Sequence, residues 1–84
     1  MQIYKINFEK AAQKFLDKQS KPQRLRLYKA IYKLPDGTDI KKLKGQEFYR
    51  LRVGSYRVLY TIDNRSKVVT IENIDNRGDV YKGI

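Results

Sequence analysis

Arg50, Arg52 and Arg57 flank the dipeptide Gly54-Ser55 within Tyr49-Arg50-Leu51-Arg52-Val53-Gly54-Ser55-Tyr56-Arg57-Val58-Leu59-Tyr60, where apolar residues recur at every second position. A period of two belongs to a half-buried strand, and a two-residue Gly-X loop joins two such strands into a hairpin. With Gly54 and Ser55 as the loop, Val53 faces Tyr56, Arg52 faces Arg57, Leu51 faces Val58 and Arg50 faces Leu59. The three arginines then share one face, and Tyr49, Leu51, Val53, Tyr56, Val58 and Tyr60 line the other. A slip of one residue would bury the guanidinium groups, so register and charge placement are coupled. Like charges directly opposite on paired strands destabilise by about 0.2 to 1 kcal/mol, so the Arg52–Arg57 pair opposes folding and points to a use. Phosphate recognition is such a use, because the planar guanidinium fork donates two parallel hydrogen bonds and never loses its charge. The alternative is a solvated face, partly neutralised by Glu47 and by Glu72 reaching Arg57 from the next strand.

Further cations extend the track. Lys41, Lys42 and Lys44 precede the hairpin, and Arg77 and Lys82 follow the next strand. Among the seven tyrosines, Tyr28, Tyr49, Tyr56 and Tyr60 fall on apolar stripes and read as core. Tyr81 does not: it lies beyond the strands beside Arg77, Asp79 and Lys82, where an exposed ring can stack on a base or tuck back onto the sheet edge. Histidine and cysteine are absent, which removes the usual nucleophile–base pairs and the preferred soft metal ligands. The acidic residues show no spacing of a divalent-metal carboxylate cluster. Phosphodiester transfer fits what remains: arginines offset charge on phosphorus oxygens, a tyrosine made more acidic by nearby cations moves a proton, and RNA supplies its own 2′-OH as nucleophile.

Lys and Arg number 19 against 9 acidic residues, for a net charge of +10 and a pI near 9.9. Self-repulsion of this size is most often carried for a polyanionic partner, with nucleic acid ahead of a membrane surface and an acidic protein; plain solubility is the bland alternative. The 84 residues suit a single domain over 1–84 whose stability comes from packing, without disulfides. No apolar run reaches the roughly 20 residues that span a bilayer, and MQIYKINFEK lacks a signal-peptide core. A soluble protein that stays in the cytoplasm, without a membrane partner, is expected.

The elements that must position these residues follow from periodicity. Ile3 to Phe8 alternates as a first strand, with Asn7 placed to cap a helix over Glu9 to about Lys18 that buries Ala11, Ala12, Phe15 and Leu16. Ser20-Lys21-Pro22 starts a second helix running to about Leu34, with Leu25, Tyr28, Ile31 and Tyr32 or Leu34 as its core stripe and Arg24, Arg26, Lys29 and Lys33 outside. Pro35-Asp36-Gly37 stops it, and Asp39 to Gly45 reads as a polar stretch. Three consecutive antiparallel strands follow, carrying Tyr49 to Val53, Tyr56 to Ile62, and Val69 with Ile71, with Asp63 to Ser66 as the looser turn. The order of elements favours an α+β fold: two N-terminal helices packed on a curled antiparallel sheet of about four strands.

Lys41-Lys42-Leu43-Lys44-Gly45, the hairpin Tyr49 to Tyr60, and Arg77-Gly78-Asp79-Val80-Tyr81 together resemble the RelE/ParE toxin superfamily over nearly the whole chain. That resemblance implies a RelE-like microbial ribonuclease fold and a cytoplasmic bacterial toxin of a type II toxin–antitoxin pair, neutralised by a cognate acidic antitoxin. RelE-like members cut mRNA in the ribosomal A site without metal or small-molecule cofactor, so the ribosome and mRNA are the implied partners; ParE-like members poison DNA gyrase. In the RelE-like group the basic hairpin residues contact and activate the RNA phosphate, and a C-terminal tyrosine takes part in proton transfer. By position, Arg50 and Arg52 stand where that group often has lysines, Arg57 matches its phosphate-stabilising arginine, Tyr81 its terminal tyrosine, and Arg77 a second arginine that also aligns with Asp75. Asn76 stands where relatives commonly place His or Arg, which leaves the general acid open. Three functions follow: a ribosome-dependent endoribonuclease, a gyrase-binding toxin, and a catalytically inert basic RNA-binding protein.

Overall fold

The alternation around Gly54-Ser55 forms the hairpin it predicts. In the computed structural model, which describes residues 4–37, 39–43 and 47–76, β3 (Tyr49–Val53) and β4 (Tyr56–Asp63) pair with Val53 opposite Tyr56, Arg52 opposite Arg57, Leu51 opposite Val58 and Arg50 opposite Leu59. Lys44, Arg77, Tyr81 and Lys82, and the Ile3 start of the first strand, lie outside the described residues. Gly54 takes φ +59, the left-handed value that the first loop position of a two-residue hairpin requires. A Cβ there would also meet the Arg26 guanidinium at 2.5 Å. Since that group ends a flexible side chain, the backbone dominates: Gly54→Ala should destabilise by about 1–2 kcal/mol, the penalty of a left-handed L-residue, read as a shift in urea midpoint at unchanged slope.

Ahead of the hairpin come β1 (Lys5–Phe8), α1 (Lys10–Asp17), α2 (Lys21–Ile31) and β2 (Ile40–Lys42), and after it β5 (Val68–Asp75). The sheet has five strands in the order β1-β5-β4-β3-β2, one more than the periodicity suggested. β2 is a three-residue edge strand inside the stretch read as merely polar, and its lysines suit an edge that must not pair with other chains. β1 runs parallel to β5, with Lys5 opposite Val68 and Phe8 opposite Ile71; the other pairings are antiparallel.

Both helices cover one face. Ala12 and Leu16 of α1 and Leu27 and Ile31 of α2 pack with Leu34 against Leu51, Val53, Tyr56, Val58, Tyr60, Val69, Ile71 and Ile74. Leu16, Leu27, Ile31 and Leu34 are wholly inaccessible to solvent, each contributing about 1.5–3 kcal/mol relative to exposure. The stripe of α2 differs from the expected one. Leu27, Ile31 and Leu34 recur at i, i+4 and i+7, whereas Leu25 lies roughly 200° round the helix from Leu27 and is 59% exposed, with Tyr32 at 52%. Two stripes compete in this sequence, and the purely aliphatic one is buried. Asn7 does not cap α1: it sits in β1 opposite Thr70, and the N-cap is Glu9, without a side-chain bond. Ser20 does precede α2, with Pro22 in its first turn. No helix among the described residues is long and apolar enough to cross a membrane.

Register shifts once, between Leu59 and Tyr60, where β5 carries an extra residue: Tyr60 pairs with Ile71, and Leu59 with Asn73. Strict alternation from Val69 and Ile71 would have turned Asn73 and Asp75 toward the helices. The bulge at Glu72 instead buries Ile74 and swings Asp75 to the outer face, opposite Arg57, the re-aiming of side chains that bulges commonly provide.

Candidate functional site

The outer face of the sheet is built by strand alternation from cations on three strands. Residues directly opposite on paired strands share a face, so Lys41, Arg50, Leu59 and Asn73 form one row and Arg52, Arg57 and Asp75 the next. The backbone N–H of Arg52 donates to the Asp39 carbonyl at 3.1 Å, on the side away from β4. The Arg52–Arg57 pair is therefore a non-hydrogen-bonded one, in which opposite side chains come closest. The three arginines thus share a face as predicted, but unequally: the Arg52 side chain is 47% exposed and that of Arg50 18%, while Arg57 is half-buried. Leu59, between Arg50 and Asn73, is 2% exposed although it belongs to this outer face.

Asp39 was not singled out by its sequence context, yet it organises the site. Arg50 Nη2 lies 3.3 Å from Asp39 Oδ1, and Arg52 Nε 3.0 Å from Oδ2. This carboxylate, and not Glu47, is the acidic partner of Arg50 and Arg52, and the acidic residue opposite Arg57 on the next strand is Asp75, not Glu72. Glu72 instead accepts a hydrogen bond from the Thr61 hydroxyl at 3.0 Å. Arg26, read from the sequence only as an outward-facing helix residue, lies over the Gly54 turn and adds a cation at the hairpin tip. Lys33 and Arg52 both border a cleft floored by Ala30, Leu51 and Val53.

Lys41 joins the arginine face through its pairing with Arg50, whereas Lys42 pairs with Tyr49 and stands on the helix side, its Nζ 5.9 Å from the Tyr49 ring centre. The described tyrosines keep to that side as well. Tyr49 stacks on Tyr60 at 5.5 Å, Tyr56 donates to Gln19 Oε1 at 3.1 Å, and the Tyr28 hydroxyl accepts from Gln13 Nε2 at 3.2 Å. Burial, and then the neighbouring Tyr49, push the Tyr60 hydroxyl well above the usual tyrosine range, so it stays protonated; among the described residues its oxygen has no hydrogen-bond partner. What the described face offers chemically is a set of cations, two of them bridged by Asp39 and one opposite Asp75, suited to holding a phosphate and offsetting charge on it.

Residues 6–81 match the family described as the ParE toxin of the type II toxin-antitoxin system, parDE. The putative toxin RelE1 of Methanocaldococcus jannaschii is 42% identical over 45 residues, which make up 52% of this chain and 50% of that protein; the chain spans about half the length of this curated relative. Among solved structures, the RelE-RelB complex from Pyrococcus horikoshii OT3 is similar at 29% identity with a TM-score of 0.74, over 93% of this chain and 98% of the matched one. The RelB-RelE antitoxin-toxin complex from Methanococcus jannaschii is similar at 27% identity with a TM-score of 0.71, over 89% and 94% of the two chains.

Proposed function

Since the chain belongs to the RelE/ParE toxin superfamily, with residues 6–81 inside its ParE toxin family, we propose that it is the toxin of a type II pair and cleaves mRNA on the ribosome. The observation that carries this function is the facing Arg52–Arg57 pair, joined by Arg50 and Lys41 on one side of the sheet. The like-charge contact opposes folding, Asp39 beside Arg52 and Asp75 opposite Arg57 offset it, and a phosphate can be held by both guanidinium groups at once. In the proposed reaction the RNA 2′-OH attacks the adjacent phosphorus, a 2′,3′-cyclic phosphate forms, and the 5′-oxygen leaves with a proton. Arg50, Arg52 and Arg57 hold the phosphate and offset the charge that builds on its oxygens. Tyr81 takes part in proton transfer, as the resemblance implies, with Arg77, four positions earlier in the sequence, as a second arginine; Lys41, Lys44 and Lys82 serve the RNA backbone, whereas Lys42, on the helix side, does not share the arginine face. No metal or cofactor enters any of these steps.

A cognate antitoxin is the expected partner, by likeness to the RelE-RelB complexes, and an acidic one is favoured because an uncovered +10 protein binds polyanions indiscriminately. The test is to map new mRNA ends on purified translating ribosomes with and without that antitoxin. Cuts that appear with the toxin and disappear with the antitoxin are expected; intact mRNA throughout removes the nuclease.

Gyrase binding is the second function with an observation in its favour: the matched family is that of ParE, and Arg50 and Arg52 already engage Asp39. Salt separates the two. RNA or ribosome association should weaken as log Kd rises by about 0.7 per log unit of salt for each phosphate neutralised on a single strand. Binding that hardly responds to salt would transfer the preference to an apolar protein target.

A further inference from the structure

Asp39 occupies, on the flank of β3, the place where a ligand's phosphate would bridge two arginines. Its two carboxylate oxygens contact Arg50 at 3.3 Å and Arg52 at 3.0 Å, as two oxygens of one phosphodiester would. Backbone geometry holds the carboxylate there: Asp39 has φ +60, Gly37 turns the chain at φ +137, and the Asp39 carbonyl accepts the Arg52 N–H. The contact is nevertheless displaceable, because the Asp39 side chain is 42% exposed and that of Arg52 47%, and ion pairs so open to water hold weakly. Arg50 Nε is buried without a partner, so the carboxylate leaves one donor of the fork unused.

We propose that Asp39 is an internal competitor on the arginine face, which a bound RNA backbone displaces before Arg50 and Arg52 can hold its phosphate. The inference rests on the phosphate-binding function above and names a new participant in it. A free anion with one phosphate exchanges one bridging anion for another and gains little. An RNA strand reaches Lys41 and Arg57 at the same time, on the neighbouring strands of the same face, and these additional contacts drive the exchange. Asp39 therefore weakens binding of every phosphate ligand by the same displacement cost, so that at a given concentration a strand with further contacts still fills the site and an isolated phosphate does not.

Asp39→Asn removes the charge and keeps the shape, and asparagine, like glycine, tolerates a left-handed backbone. Measured by fluorescence anisotropy with a single-stranded RNA oligonucleotide, D39N and D39G should each bind about three- to tenfold tighter, the scale of two partly exposed ion pairs. Adenosine monophosphate, used as competitor, should gain by the same factor, since both ligands displace the same carboxylate. Both gains should vanish when Arg50 and Arg52 are replaced by Gln, as coupled residues require. Thermal melting verifies folding, and D39G carries the measurement should D39N melt early. Unchanged or weaker binding of RNA or of adenosine monophosphate in the folded variants overturns the inference and leaves the phosphate site standing. Wild-type RNA binding that survives R50Q/R52Q undiminished overturns both.

Discussion

On purified translating ribosomes, Tyr81→Phe is expected to lower mRNA cleavage about 100-fold to 10,000-fold, the range of a positioned general acid or base, with ribosome binding nearly unchanged. The substitution deletes one oxygen and keeps the ring, so it separates proton transfer from stacking, which would leave the rate close to wild type. The role of Tyr81 rests on its match to the terminal tyrosine of RelE-like toxins, and the rest of the chain strengthens the case for testing it. Histidine and cysteine are absent. None of the described tyrosines stands on the arginine face: Tyr49, Tyr56 and Tyr60 alternate toward the helices, Tyr4 packs on the same core, and Tyr28 and Tyr32 belong to α2 and its C-cap. Tyr60 is further disqualified by a hydroxyl that burial holds protonated. Single-turnover cleavage over a pH range gives the sharper readout, since loss of a titrating group changes the profile as well as the rate. A wild-type rate for Tyr81→Phe would leave the arginines and a water molecule as the whole of the proposed chemistry.

The hairpin was legible because two independent signals agree on it. Gly54-Ser55 sets the loop, the alternation from Tyr49 to Tyr60 sets the faces, and only one register satisfies both. Placement of Arg50, Arg52 and Arg57 on a common face followed directly, as did two helices on the other face. Non-local features were not legible. The parallel pairing of β1 with β5 joins residues some sixty positions apart, and nothing in either strand announces its neighbour. The Glu72-Asn73 bulge sits in a polar run where alternation carries no signal, so the outward turn of Asp75 was invisible. Asp39 was hidden for another reason. In sequence it is one acidic residue among loop residues, and its importance comes from a left-handed backbone and a carbonyl bond to Arg52 that bring its carboxylate between two arginines. Lys41 and Lys42 were likewise inseparable until the three-residue β2 assigned them to opposite faces.

Arg57→Ala should reduce cleavage by roughly 100-fold or more, the loss seen when one preorganised charge-stabilising donor is removed from a transition state, while the fold persists. Three arguments separate Arg57 from its neighbours. Arg50 and Arg52 share the Asp39 carboxylate, which lies on both their guanidinium groups, whereas Arg57 stands on the next strand, apart from Asp39 and opposite Asp75. Half-burial between Arg52 and Asp75 limits the rotamers of Arg57 and holds it ready for a developing charge. Folding has little stake in it: removing Arg57 relieves the like-charge opposition to Arg52, worth about 0.2 to 1 kcal/mol, and gives up its opposite-charge neighbour Asp75 across the strand pair, worth a similar amount. The two changes nearly cancel, so the melting temperature should move by no more than a few degrees. Binding should weaken far less than the rate, because Lys41, Arg50 and Arg52 still hold the RNA backbone. Cleavage by Arg57→Ala at the wild-type rate on purified ribosomes would exclude Arg57 from the chemistry and move the catalytic centre away from this row of the sheet.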